Sequence, residues 1–151
     1  MEMTKYIKTA SIEAEQFDGS EAMAKKYLLD IPTVSAKDKV ASGHTVYGIS
    51  TLEGYLYVYK GDWIATGSDG EHWPIANYIF RRTYKPLPVI PPAVAGIIKW
   101  YKQHYSLTIL LSDAFDLRFP ENISNWITRH DEIIARAWLD GYETEDEDDE
   151  K

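Results

Sequence analysis

Four histidines and a small group of acids are the side chains whose types could do chemistry here. His44, His72, His104 and His130 could bind a metal or carry a proton. No two of them stand at i, i+4, however, and no acid completes a zinc or iron ligand set at the usual spacing. No metal site and no cofactor is expected, and His130 reads as a core histidine on an apolar helix face. Asp62, Asp69 and Glu71 form a carboxylate cluster of the kind that serves acid–base catalysis. Gly61-Asp62 and Asp69-Gly70 are also turn dipeptides, which place acids for conformational reasons. Ser42-Gly43-His44 lacks the setting of a nucleophile elbow, and Gly61, Gly67 and Gly70 match neither a phosphate loop nor a dinucleotide fingerprint. There is no cysteine, so thiolate chemistry is excluded. The chain reads as a non-enzyme with no catalytic residue.

The aromatic residues carry more information. Tyr55, Tyr57, Tyr59, Trp63, Trp73, Tyr78, Phe80 and Tyr84 fall within thirty residues. In the run Tyr55–Tyr59 the tyrosines share one face of a strand, while Leu56 and Val58 share the other. The aliphatic face belongs in a core. The tyrosine face is either covered by other elements or presented as a recognition surface, a role that suits a ring with large contact area and a polar tip. Tyr55, Tyr57, Tyr59, Trp63 and Trp73 are the candidate binding residues.

The elements that must position them follow from periodicity. Alternation through Ile7–Phe17 predicts a half-buried strand. Asp18-Gly19-Ser20 predicts a turn with Ser20 as N-cap of a helix through Leu29, ended by Pro32. Thr33–Val40 and His44–Leu52 predict a strand pair around Ala41-Ser42-Gly43. Tyr55–Lys60 is a further strand, with hairpin signals at Glu53-Gly54, Gly61-Asp62 and Asp69-Gly70. Residues 1–84 are thus expected to form a small twisted antiparallel sheet or open barrel with one or two helices.

Lys85–Pro92 holds four prolines in eight residues and predicts an extended linker. Beyond it, Val94, Ile97, Ile98, Tyr101 and Tyr105 predict a helix over Pro92–His104. Thr108–Leu111 is short and β-compatible, and Asp113–Pro120 reads as irregular. Ile123, Trp126, Ile127, His130, Ile134, Ala137 and Trp138 share one helical face, started by Pro120-Glu121 and stopped by Gly141. Both tryptophans on that face are expected to be structural. His130-Asp131 could split this element, with Asp131 as a second N-cap. The fold class is α+β: a sheet-based region 1–84, linker 85–92, helical domain 93–142 and a disordered acidic tail 143–151.

The 151-residue chain carries a net charge of −8, and the tail holds seven of its 24 acids. The folded body is nearly neutral and shows no basic stripe, so direct nucleic-acid binding is not expected. No apolar run reaches the ~18 residues of a membrane span, and Met1–Tyr6 lacks the apolar core of a signal peptide.

Val94–Trp100, Trp126-Ile127 and the close Ala135-Arg-Ala-Trp-Leu-Asp-Gly-Tyr142 resemble the phage domain-of-unknown-function 1642 family. Residues 12–84 resemble a recurrent phage module through Glu13-Ala-Glu-Gln-Phe-Asp-Gly-Ser20, Thr51-Leu-Glu-Gly54, Gly61-Asp-Trp63 and Thr83-Tyr84. Together the resemblances imply an accessory protein of temperate phages of Gram-positive hosts, working in the host cytoplasm. Neither family brings an activity with it. The expected function is a protein-binding module that engages a host or phage protein, with a host defence or regulatory protein as one target class. A nucleotide-like ligand stacked on the aromatics near Arg81, Arg82 and Lys85 is an alternative. Mimicry of nucleic acid by the tail is a second.

Overall fold

The computed structural model describes residues 3–5, 7–8, 10–31, 40–41 and 44–145, with the side chains of Val40, Ala41 and His44 excepted. The chain divides into two compact units, Met1–Lys85 and Pro86–Lys151. Its class is α+β: small antiparallel sheets in the first unit and mostly helices in the second.

In the first unit, β1 (Glu13–Gln16), β6 (Trp63–Thr66) and β7 (His72–Ile75) form an antiparallel sheet in the order β1-β6-β7. β4 (Tyr47–Thr51) and β5 (Gly54–Val58) form a separate hairpin, and β2 (Val40–Ala41) pairs with β3 (His44–Thr45). The small antiparallel sheet region expected here is present, and in this unit its described strands divide into three sheets. The expected strand Ile7–Phe17 shortens to four residues. His44–Leu52 breaks at the buried Val46 into β3 and β4, and Tyr55–Lys60 stops at Val58. Most of the expected strand Thr33–Val40 lies outside the described residues.

Helix α1 (Glu21–Lys26) starts where the sequence places it. The Ser20 hydroxyl accepts the Met23 amide at 3.1 Å, and the Asp18 carboxylate accepts the Ser20 amide at 2.7 Å. It ends earlier than expected, and not because of Pro32. Leu28 turns left-handed (φ 53°), and the Leu29 amide reaches back to the Ala24 carbonyl at 2.8 Å, a Schellman closure built on leucine. The core of this unit joins Phe17, Met23, Ala24 and Tyr27 to Tyr47, Ile49, Val58 and Ile64. Helix α2 (Asn77–Thr83) follows β7.

The second unit packs α3 (Pro92–His104), α4 (Leu107–Phe115), α5 (Glu121–Arg129) and α6 (Asp131–Asp140) around Val94, Ile98, Leu110, Ile127 and Ile134. Each of these five side chains is at most 1% exposed. Helix α4 corrects the sequence reading. Leu107, Leu110, Leu111 and Ala114 recur at helical spacing, and the buried Leu110 and Ala114 override the β preference of Thr108 and Ile109. Leu117 closes α4 in the left-handed region (φ 56°), with the Arg118 amide donating to the Asp113 carbonyl at 2.9 Å. α5 and α6 are separate helices hinged at His130, which takes the N-cap position itself. Asp131 is instead the first residue of α6, and its carboxylate accepts the Glu132 amide.

Two boundaries also move. β8 (Val89–Ile90) lies inside the proline-rich segment, and β9 (Glu143–Thr144) inside the acidic stretch; the two pair in parallel. The Glu145 amide donates to the Ile90 carbonyl at 3.1 Å, while the Ile90 side chain is fully buried in the helical core. Proline density therefore does not keep residues 86–92 out of the second unit: a φ fixed near −65° suits an extended strand, and Ile90 supplies the apolar anchor. The expected disorder of the tail does not hold for Glu143 and Thr144. Its remainder, residues 146–151, lies outside the described residues.

Trp126 and Trp138 are half-buried against this core. The His130 ring stacks on Trp126 at 4.2 Å, and its Nδ1 lies 2.7 Å from the Trp126 carbonyl. Trp100 and His104 repeat the arrangement at the end of α3, with rings 4.4 Å apart and Nδ1 2.7 Å from the Trp100 carbonyl. In both places a histidine four residues after a tryptophan sets its ring nitrogen against that tryptophan's carbonyl in the last turn of a helix.

Candidate functional site

The β4–β5 register pairs Tyr47 with Val58, Gly48 with Tyr57, Ile49 with Leu56, and Ser50 with Tyr55. Tyr47, Ile49, Leu56 and Val58 therefore share the core-facing side, and Gly48, Ser50, Tyr55 and Tyr57 the other. Val58 is fully buried, but Leu56 stays 37% exposed at the fringe of the core. Tyr55, Tyr57 and Tyr59 are 45%, 44% and 45% exposed. The rings of Tyr55 and Tyr57 meet edge to face at 6.0 Å.

Tyr55 lies directly over Gly48. A side-chain carbon at position 48 would stand 2.0 Å from the Tyr55 hydroxyl, so only glycine admits the ring there. Beneath it, Gly48 exchanges both backbone hydrogen bonds with Asp30, at 2.8 and 2.9 Å. Burial against this surface, together with the Asp30 carboxylate, holds the Tyr55 phenol above its ordinary pKa. The Tyr59 amide donates to the Asp62 carboxylate at 3.0 Å, and its carbonyl accepts the Asp62 amide at 3.0 Å. Desolvation pushes the Asp62 carboxyl up, against the pull of the Tyr59 amide.

Trp63 and Trp73 belong to a different sheet from Tyr55 and Tyr57. Both stand on the three-stranded sheet, where the pairs Trp63–Ile75 and Ala65–Trp73 put them on one face. Trp63 stacks on Phe80 at 4.1 Å, and Phe80 on Tyr84 at 4.9 Å. The Trp63 indole donates to the Asn77 side-chain oxygen at 3.1 Å, which also accepts Arg81 Nε at 3.0 Å. The Trp63 ring thus fastens α2 to the sheet. Trp73 carries Lys8 Nζ 4.8 Å from its ring centre. Among the described residues, neither tryptophan stacks on a tyrosine of β5. The Trp63–Phe80–Tyr84 column was missed by sequence reasoning; the i, i+4 spacing of Phe80 on α2 and Tyr84 at its C-cap was its available signal.

The other candidates are engaged locally. Glu71 accepts the Asp69 amide at 3.0 Å within its own turn. His72 Nδ1 lies 2.9 Å from the Thr66 hydroxyl, and Tyr27 meets its ring at 5.1 Å. Glu15 accepts Lys26 and the Tyr27 hydroxyl, which lower its pKa. Among the described residues, no three His, Asp or Glu side chains converge as a metal-holding group, and no helix is long and apolar enough to cross a membrane.

Residues 85–149, which take in the helices of the second unit, match the model of a family described as protein of unknown function (DUF1642). No curated protein and no solved structure matches the chain.

Proposed function

We propose that the chain is a non-catalytic bacteriophage accessory protein that docks on a host or phage protein in the host cytoplasm through Tyr55, Tyr57 and Tyr59. A host defence or regulatory protein is the target class the phage resemblance suggests. The observation that carries the reading is the half-exposed tyrosine face of β5: two rings in mutual contact, with Tyr55 fixed over Gly48, cost little ordering entropy when a partner covers them. We leave Trp63 and Trp73 outside this surface, since Trp63 stacks on Phe80 and Lys8 stands over the Trp73 ring. The nucleotide-like alternative weakens for a related reason, since Arg81 is tied to Asn77 and the Phe80 ring lies between Trp63 and Tyr84.

The test is affinity capture from host lysate with the full chain and a Tyr55→Ser/Tyr57→Ser double variant, read by mass spectrometry. A partner retained by the parent and lost by a folded variant supports the proposal. A partner retained equally by both overturns the tyrosine face as the site.

A further inference from the structure

The outer edge of β5, unpaired among the described residues, offers a second kind of contact, made by backbone rather than rings. Because both backbone groups of Gly48 turn away from β5 to bond Asp30, Gly48 and Tyr57 form a non-hydrogen-bonded pair of the β4–β5 ladder. The alternation of an antiparallel ladder then sends the N–H and C=O of Tyr57, and of Tyr55 two residues earlier, outward from the hairpin. β5 pairs with β4 and with no other strand among the described residues. The edge is closed at one end, where Asp62 takes the backbone groups of Tyr59; at the other it begins at the turn, which the Thr51 hydroxyl fastens by bonding the Gly54 carbonyl and the Glu53 amide.

Exposed edges are commonly guarded by charge or proline. β1 carries Glu13 and Glu15, and β7 carries Pro74; β5, Gly-Tyr-Leu-Tyr-Val, carries neither. Its open part, Tyr55-Leu56-Tyr57, reads the same in both directions. The charges flanking the strand are opposite, Glu53 before it and Lys60 after it.

We infer that β5 pairs antiparallel with β5 of a second copy of this chain, about a two-fold axis beside Leu56. Tyr55 of each copy faces Tyr57 of the other and exchanges both backbone hydrogen bonds with it. Leu56 meets Leu56 of the second copy, covering a side chain that is core-facing yet 37% exposed. The antiparallel register runs the Glu53 end of one strand alongside the Lys60 end of the other. The two hairpins become one four-stranded sheet whose tyrosine faces are continuous, which doubles the surface assigned above to a foreign partner and in that respect rests on that assignment.

The experiment is sedimentation velocity of the full chain over a dilution series, with amide hydrogen exchange read residue by residue at low and high concentration. The expected result is a doubling of sedimenting mass with concentration, matched by slower exchange of the Tyr55 and Tyr57 amides. The Leu56 and Val58 amides, which face β4, should stay protected throughout. Tyr57→Pro removes an outward donor that the hairpin does not use and should yield a monomer with Leu56 and Val58 still protected. Should that variant unfold, the concentration dependence of the parent's Tyr55 and Tyr57 exchange decides alone. A chain that stays monomeric, or dimerises while both amides exchange fast at every concentration, overturns the inference. So does a dimer that persists in folded Tyr57→Pro, or protection that appears only on adding a different protein. The lysate capture by serine variants reads the rings and not the edge, so either proposal can fail while the other stands.

Discussion

Tyr101 in the second unit and the tyrosines of β5 in the first show one residue type used in opposite ways. Tyr101 is 8% exposed, and its hydroxyl donates to Asp113 at 2.8 Å; Asp113 in turn holds Arg118 at 3.2 Å. Its ring lies among Phe119, Trp100 and Tyr105, and its polar tip is satisfied inside the protein. Tyr55 and Tyr57 leave nearly half their surface in water, and their backbone groups face outward. A buried, satisfied ring stabilises the fold. A fixed but half-exposed ring adds little to stability and remains available to a partner. The two units should accordingly respond very differently to losing a side chain.

The largest effect is expected at the centre of the helical unit. Ile134 is fully buried against Ile98, Leu110 and Ile127 of the same core. Ile134→Ala should destabilise that unit by about 2–5 kcal/mol, the usual cost of a cavity of this kind. Urea denaturation of the purified chain would measure it. A loss below about 1 kcal/mol would mean that the core collapses around the gap and is less rigidly packed than the fold indicates.

A smaller effect isolates the Tyr101 hydroxyl. Tyr101→Phe should cost about 1–2 kcal/mol, because the Asp113 carboxylate loses a buried donor. Burial and the bond to Asp113 push the Tyr101 phenol up to about 12, above its ordinary value near 10. The folded state therefore favours the protonated phenol. That contribution is complete below pH ~10 and is lost as pH rises toward ~12. Stability curves of parent and variant should run parallel at neutral pH and converge across that window. Curves that stay parallel to pH 12 would show that the phenol does not titrate as a buried group.

These contrasts bear on what the sequence could reveal. α3 and the α5–α6 pair were legible because Val94, Ile98, Ile127 and Ile134 repeat at helical spacing over long windows. α4 was not: Leu107–Leu111 is an almost unbroken apolar run, and its period appears only when Ala114 is included. β9 was hidden by its charge, since a two-residue strand needs only backbone bonds to β8 and no apolar side chain. In the first unit, the alternation of Tyr55–Tyr59 placed the tyrosines on one face, and the register agrees for Tyr55 and Tyr57, with Tyr59 beyond the end of β5. The engagement of Trp63 with Asn77 and Phe80, and the cover that Tyr55 gives Gly48, depend on contacts distant in sequence, which no local pattern reports.

The two leucine helix ends provide a test with the opposite sign. Leu28 and Leu117 hold left-handed backbone at 84% and 58% exposure, so neither gains much from burial. An L-residue with a side chain pays roughly 1–2 kcal/mol in that region, while glycine pays little there but gains freedom when unfolded. Leu28→Gly and Leu117→Gly should each raise stability by about 0.5–1 kcal/mol, read as a shift of the denaturation midpoint at constant slope. Destabilisation at either site would mean that the leucine packs against something that its exposure does not show.

The smallest single effect should fall at Tyr57 on the tyrosine face, whose two rings should respond unequally. Tyr57→Ser removes a ring that touches Tyr55 from a surface already half in water, so its cost should stay within about 0.5 kcal/mol. Tyr55→Ser removes more, because that ring covers Gly48 and shields the paired hydrogen bonds to Asp30. A cost of about 1 kcal/mol is expected there. Amide exchange separates the two cases: the Asp30 and Gly48 amides should exchange faster in Tyr55→Ser and unchanged in Tyr57→Ser. If both variants instead lost several kcal/mol, the face would belong to the core of the fold. The contrast with Tyr101 would disappear, and with it the physical reason for placing a partner on β5.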